Sequence, residues 1–226
     1  VFGFRFPIER ICALCHAYGI LFCVDSAQSA GVFDIDVGTN QYDFVCMSGH
    51  KSLYGPMGTG VLILNNRNLK PLLYGGTGTE SVKKSQPEGL PEKFESGTQN
   101  MNGISGLKAG VEFVKNRGIK NIYNHEYKLA KHLFNGLANN RKVITYNKSF
   151  DYGKVAPVVS FNIDGVYSED LVAKLNKYGI MTRGGIHCSP LAHTTMNTIE
   201  NGTVRVVPGA FNTINDINYL LNVIRK

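Results

Sequence analysis

The sequence predicts an α/β fold: a mixed or parallel sheet flanked by helices over residues 1–118, followed by a smaller α+β unit over residues 119–226. Two observations carry this expectation. Short apolar runs of strand length alternate with helical patterns through the first part. A β-rich, alternating stretch then opens the second part and is followed by further helix and strand patterns.

The elements read in order. Pro7 opens a helix over Ile8 to Tyr18, and Gly19 stands where a terminating glycine belongs. Ile20 to Val24 is an apolar run of the kind a buried parallel strand shows, and Tyr42 to Met47 and Val61 to Leu64 are two more. The turn carrying Gly55, Gly58 and Gly60 separates the last two. Residues 74–100 are rich in Gly, Thr, Ser, Glu and Lys and contain Pro87 and Pro91, which reads as a long loop. Helices are expected at Gly103 to Arg117 and Ile119 to Ala138. In the second part Val155 to Ile163 reads as strand. Ser168 is read as the N-cap of a helix through Tyr178 that stops at Gly179. Ile180 to Arg183 and Thr203 to Val207 are short strands, and Asn215 to Lys226 is a closing amphipathic helix.

Composition narrows the function classes. Hydrophobic residues make up 43% and charged residues 18% of the 226, an ordinary globular balance. The formal charge of +7 is scattered, with Lys83 and Lys84 forming only a short pair, which disfavours nucleic acid as a partner. No apolar run approaches the roughly 20 residues of a membrane span, and no signal peptide is visible. Five cysteines without a secretory signal read as free thiols, consistent with a cytoplasmic setting. The chain begins at Val1 and enters directly into what looks like a strand end, which reads as part of a longer polypeptide.

Chemistry-bearing residues collect at the ends of the expected strands, where ligands bind in open α/β sheets. Val24-Asp25-Ser26-Ala27-Gln28 ends one strand, Ser48-Gly49-His50-Lys51 follows another, and the glycine-rich turn comes next. Singly, each has an ordinary reading: Asp25 as a cap, Lys51 as solvated surface, the glycines as a turn. Together they supply what pyridoxal 5'-phosphate (PLP) requires. A lysine amine forms a Schiff base, a carboxylate keeps the pyridine nitrogen protonated, and hydroxyl and N–H donors surround the phosphate.

This series, Asp25-Ser26-Ala27-Gln28, Ser48-Gly49-His50-Lys51 and Gly55-Pro56-x-Gly58-x-Gly60, resembles the class V aminotransferase family, in its cysteine desulfurase and selenocysteine lyase branch. The resemblance implies a partial fold-type-I large domain and a small C-terminal domain. It implies that Lys51 carries PLP, Asp25 pairs with the pyridine nitrogen, Gln28 contacts the phenolic oxygen, and Ser48 and His50 hold the phosphate. It also implies a homodimer in which residues 74–100 cross the interface and Thr98 reaches the partner's phosphate. Further residues preceding Val1 would complete the cofactor cradle.

The stretch Arg183-Gly184-Gly185-Ile186-His187-Cys188-Ser189-Pro190 resembles the arginine-to-cysteine segment of desulfurases with a short catalytic loop. That implies Cys188 as sulfur acceptor, with Arg205 and Arg183 binding the substrate carboxylate; L-cysteine or L-selenocysteine would be the substrate, and a protein the possible next sulfur acceptor. The chemistry is sound, because guanidinium clamps carboxylate and a thiolate attacks sulfur. A small buried hydrophobe is the alternative for Cys188. Among the other candidates, Cys12 and Cys15 form a Cys-x-x-Cys on a helix without a second ligand pair, so no metal site is expected, while Cys23 and Cys46 read as core. His193 reads either as an assistant to Cys188 or as a loop histidine bonded to backbone, and His16, His125 and His132 as surface residues. Three readings of function remain: a desulfurase or selenocysteine lyase, another class V reaction, and a non-catalytic domain lacking half of the PLP site.

Overall fold

A computed structural model describes residues 1–65, 69–147 and 149–225. The chain divides into two units, Pro7–Ile119, and Lys120–Lys226 together with Val1–Phe6.

In the first unit, α1 (Ile8–Ala17) starts after Pro7. It ends in a Schellman turn: Gly19, at φ 66°, donates to His16 O, and Ile20 donates to Cys15 O. β1 (Cys23–Asp25) follows, then a four-residue helix, α2 (Val37–Asn40), that the sequence reading missed. Asp36 caps it, accepting from Gly38 N and Thr39 N at 2.9 and 3.0 Å. β2 (Phe44–Ser48) and β3 (Gly60–Leu64) complete a mixed sheet of order β1-β2-β3, with β1 and β2 parallel and β3 antiparallel to β2. α3 (Met101–Arg117) is capped by Asn100 through Gly103 N. It lies close on the backbone of residues 53–55: a Cβ at Gly110 would meet Leu53 O at 2.2 Å. Between β3 and α3 the described residues hold no helix or strand, as the loop reading expects.

One face of this sheet is the core. Val24 and Val45 pack with Cys12 and Tyr42, and Met47 and Ile63 border them. Side chains alternate along a strand, so Cys23, Asp25 and Cys46 project from the opposite face. That corrects the expectation that Cys23 and Cys46 are core residues. Both are exposed, with their Sγ atoms 4.0 Å apart. In runs apolar throughout, strand alternation could not be read from residue type.

The second unit comprises α4 (Ile119–Ala138), β4 (Val143–Thr145), β5 (Val159–Ile163), α5 (Ser168–Lys177), α6 (Pro190–Thr195), β6 (Val204–Val206) and α7 (Ile214–Arg225). Its sheet has the order β4-β5-β6, antiparallel throughout. α4 buries a stripe of Ile122, Tyr123, Glu126, Ala130, Leu133 and Leu137 at helical spacing. Gly136 allows α7 to approach, since a Cβ there would meet Leu221 Cδ1 at 2.5 Å. Phe161 on β5 is completely buried, and truncating such a side chain to alanine costs about 3–5 kcal/mol. The first residues of the chain lie along this unit: Ala156 N donates to Gly3 O at 2.7 Å and Ser160 Oγ to Val1 O at 2.7 Å.

Three expectations change here. Tyr167, not Ser168, is the N-cap of α5. The Ser168 side chain is buried because it serves the loops beside it. The strand expected at Ile180 to Arg183 is a single bridge, Arg183 to Arg205. β4 and α6 are short elements that the sequence reading left out. The last expected residue of the closing helix, Lys226, lies outside the described residues.

Candidate active site

Because β1 and β2 are parallel, Asp25 and Ser48 finish their strands at the same edge of the sheet. β3 runs the other way, so its first residue, Gly60, stands opposite Ser48. Asp25 pairs with Cys46, two residues before Ser48, so Asp25 and Ser48 project from one face. Buried Ser26 locks this edge, since its N–H and its hydroxyl both donate to Cys46 O, at 2.9 and 2.7 Å. Asp25 is exposed, and its Oδ1 accepts from Ala27 N at 2.9 Å. The expectation of a helix cap is corrected: no helix follows Asp25 before Val37, and the bond closes a turn that engages one carboxylate oxygen.

The lysine turn is tightly built. Gly49 N donates to Thr59 O, Gly55 N to Gly49 O and Tyr54 N to Lys51 O, all within 2.8–2.9 Å. A Cβ at Gly49 would lie 2.2 Å from Thr59 Oγ1 and 3.0 Å from Thr59 O, so only glycine fits there. This turn holds Lys51 half-buried beside Ser48 and His50, whose Oγ and Nδ1 are 3.2 Å apart. Gln28 is exposed in the turn after Asp25.

Thr98 is exposed near the end of the long loop. That loop is ordered around one side chain that the sequence reading did not single out. Gln86 is 7% exposed; it accepts from Gly75 N and donates to Glu92 O and Glu95 O. A glutamine in a polar tract gives no sequence signal of such a role.

The donor set fits PLP. One exposed carboxylate, one amine, a hydroxyl and an imidazole gather at the carboxyl ends of two parallel strands, and the backbone of the lysine turn is closed against Thr59. Asp25 would face the ring nitrogen, Lys51 would bond the aldehyde carbon, and Ser48 with His50 would take the phosphate.

The second unit carries the thiol. The bridge between Arg183 and Arg205 is made by both backbone bonds, Arg205 N to Arg183 O at 2.8 Å and Arg183 N to Arg205 O at 3.3 Å. Arg183 then donates from Nη2 to Cys188 Sγ at 3.6 Å. Cys188 is exposed, which removes the buried-hydrophobe alternative. Arg205 is half-buried; burial and then the charge of Arg183 pull its pKa down, and Cys188 opposes them. Two guanidinium groups thus belong to the surroundings of one thiol.

His187, adjacent to that thiol, is 8% exposed, and its Nε2 lies 2.9 Å from Thr203 O. Burial, followed by the charge of Arg205, lowers its pKa to about 4. His193 is fully buried on α6, with Nδ1 2.8 Å from Thr198 Oγ1. It is therefore no exposed assistant of Cys188; backbone hydrogen bonding is among its contacts, as the alternative expects, but on a short helix and not in a loop. His16, expected at the surface, is partly exposed and pairs with Asp43 at 2.9 Å. Cys12 is buried against the ring of that histidine, at 3.8 Å. Among the described residues no group of three or more His, Cys, Asp or Glu could hold a metal ion, and no helix is long and apolar enough to cross a membrane.

A mixed α/β unit with a lysine turn at its strand ends, joined in sequence to an α+β unit with an arginine-flanked thiol, defines a class. The pattern of the aminotransferase class-V family matches residues 1–220, and the chain belongs to that family. Within it, the chain is similar to proteins named as cysteine desulfurases. It is 35% identical over 99% of its length to a probable cysteine desulfurase of Pyrococcus abyssi, covering 56% of that protein. It is 34% identical to one of Halalkalibacterium halodurans over 100% of its length, covering 55% of that protein. Among solved structures, an apo cysteine desulfurase from Thermococcus onnurineus NA1 superposes with TM-score 0.91 at 34% identity, over 98% of this chain and 56% of that one. The Escherichia coli cysteine desulfurase CsdA in an S-sulfonic acid form superposes with TM-score 0.89 at 30% identity, over 100% of this chain and 56% of that one. The chain therefore spans about half the length of these relatives.

Proposed function

We propose that the complete protein is a PLP-dependent cysteine desulfurase, removing sulfur from L-cysteine to give alanine and a persulfide on Cys188. The observation that carries this reading is the exposed Cys188 thiol beside the Arg183 guanidinium, at 3.6 Å. The similarity to proteins named as cysteine desulfurases supports it.

When bound, PLP would act as the electron sink that weakens the substrate's carbon–sulfur bond. Lys51 would supply the amine that holds the cofactor, and Asp25 the carboxylate that would keep its ring protonated. Arg205, a planar fork always charged, binds the substrate carboxylate. Arg183 keeps Cys188 oriented through its donor to Sγ. The Cys188 sulfur attacks the substrate sulfur, so a sulfur–sulfur bond forms as the carbon–sulfur bond breaks. The bond's electron pair stays with carbon, which takes a proton and leaves as alanine. Atoms balance: one thiol and one cysteine give one persulfide and one alanine. Thr98 on the long loop, with the exposed apolar residues Leu72, Leu73 and Val82 in or just before that loop, supports a homodimer in which the loop reaches the partner's cofactor phosphate.

Cys188→Ser should keep the cofactor's absorption and substrate binding in a full-length form and lose sulfur release from cysteine, because a hydroxyl is a far poorer nucleophile toward sulfur. Sulfide release in the presence of a reductant measures it. Release at the unmutated rate would reduce the reading to a class V enzyme of another reaction.

A further inference from the structure

The segment around Cys188 departs from ordinary backbone geometry. His187 and Cys188 are consecutive non-glycine residues in left-handed conformation, at φ 56° and 59°. Each such residue carries a conformational cost of order 1–3 kcal/mol and persists only when its surroundings over-determine it. Cys188 is exposed, so packing of its own side chain does not hold it. The restraint must come from neighbours.

Backbone and side-chain neighbours supply it. Thr203 N donates to Gly185 O at 3.1 Å, and Gly185 N donates to Ser168 Oγ at 3.1 Å. Ser168 Oγ in turn donates to Asn201 O at 2.6 Å. A Cβ on Gly202 would meet Gly185 Cα at 2.6 Å, so the two backbones touch. These contacts fix the loop as far as Gly185, and Ser189 N donates to Ile186 O at 3.1 Å, closing a turn whose two central residues are His187 and Cys188. Within that turn the buried side-chain anchor is the His187 ring. Its Nε2 lies 2.9 Å from Thr203 O and 3.2 Å from Thr203 Oγ1, while its Nδ1 is buried without a hydrogen-bond partner. A carbonyl oxygen only accepts, so the proton sits on Nε2 and Nδ1 carries the lone pair.

We propose that His187 is the positioning residue for Cys188: its neutral ring, bonded through Nε2–H to the Thr203 carbonyl, fixes the left-handed pair and presents the thiol to Arg183. This deepens the desulfurase reading and rests on it for its meaning in catalysis. The charged and titratable groups that act on His187 are Arg205, His193 and Arg183, and each opposes a second proton. A proton on Nδ1 would also put an unpartnered donor in a dry site. The ring therefore neither donates protons to the reaction nor takes them. It acts through backbone geometry alone.

The test uses the 226-residue chain and iodoacetamide, with peptide mapping of each cysteine. His187→Gln keeps an N–H able to reach Thr203 O and should alkylate Cys188 within about twofold of the parent. His187→Leu fills space without a donor and should slow Cys188 alkylation about fivefold or more, the equivalent of one net hydrogen bond. Cys23, exposed in the other unit, should alkylate at the parental rate in both variants, which separates loop release from unfolding. Long-range nitrogen–proton spectra of the parent should show His187 protonated at Nε2 alone from pH 8 down to pH 5.5. A doubly protonated ring in that range overturns the proposal. So does parental alkylation in His187→Leu, or a glutamine variant no better than leucine. If the alkylation and tautomer results hold while Cys188→Ser still releases sulfur, the desulfurase reading falls and the positioning role stands.

Discussion

The lysine turn and the thiol loop solve the same problem, presenting a reactive side chain to solvent, by opposite means. At the lysine turn, the topology does the placing. Two parallel strands end together, Asp25, Ser48 and Lys51 follow from their positions in the chain, and the reactive groups are exposed or half-buried. At the thiol loop no strand ends in a suitable place. Cys188 is held from beneath by buried polar side chains, Ser168 and His187, bonded to backbone sixteen or more residues away. A reactive group placed by sheet topology depends on the close backbone packing of the turn that carries it. One placed by buried hydrogen bonds depends on each of them, because a buried donor or acceptor left alone costs about 1–3 kcal/mol.

The largest expected effect tests the first half of that contrast. If Lys51 has the chemical role proposed for it, Lys51→Ala should abolish turnover in a cofactor-loaded, full-length form and leave the fold intact. Borohydride reduction of the unmutated form followed by peptide mapping should tag Lys51, and a tag on another lysine would break the assignment.

Acid should separate the two units next. His187 has its pKa lowered to about 4, and His193 is lowered by burial as well. The unfolded chain therefore binds protons that the native thiol unit refuses, and that unit should lose stability as pH falls from about 6.5 toward 4, by at most about 1.4 kcal/mol per pH unit for each proton. In the strand unit, Asp43 is lowered instead, by the Phe22 N–H and then by His16. Its contribution is present above the usual carboxylate range and is lost only as pH falls through its lowered value. Urea unfolding followed from pH 7 to pH 4, with His187→Gln as control, should show the thiol unit weakening first. A strand unit that weakens first would reverse the comparison.

The smallest effect concerns the long loop. Gln86→Leu removes three hydrogen bonds to loop backbone. It should raise the rate of proteolysis within residues 74–100 several-fold while the melting temperature moves little, since the loss is local. Unchanged proteolysis would mean that the loop is ordered by something else.

How far the sequence foretold this follows the same contrast. The placement of Asp25 and Lys51 at strand ends and of Cys188 in a loop was legible because these are chemically distinctive residues beside recognisable strand and turn patterns. Cys23 and Cys46 were placed on the wrong side because their strands are apolar on both faces, so period two leaves no mark. Ser168 was read as a cap because serine before an acidic turn is a cap signature, whereas its hydroxyl is spent on Gly185 and Asn201. The anchoring role of His187 escaped notice because its partner is a backbone carbonyl, which has no letter in a sequence. The short elements α2, β4 and α6 fell below the length at which periodicity speaks.

Gly49 sets a limit on what variation can do at the lysine turn. Its missing side chain is the space occupied by Thr59, whose backbone oxygen closes the turn. Shrinking Thr59 would remove the nearer obstruction, Oγ1, and leave the carbonyl where it is. A second mutation at 59 would therefore relieve only part of the crowding at position 49, leaving the carbonyl oxygen at 3.0 Å. Variation at the lysine turn is thereby tied to the backbone it packs against, as variation at the thiol loop is tied to its buried hydrogen bonds.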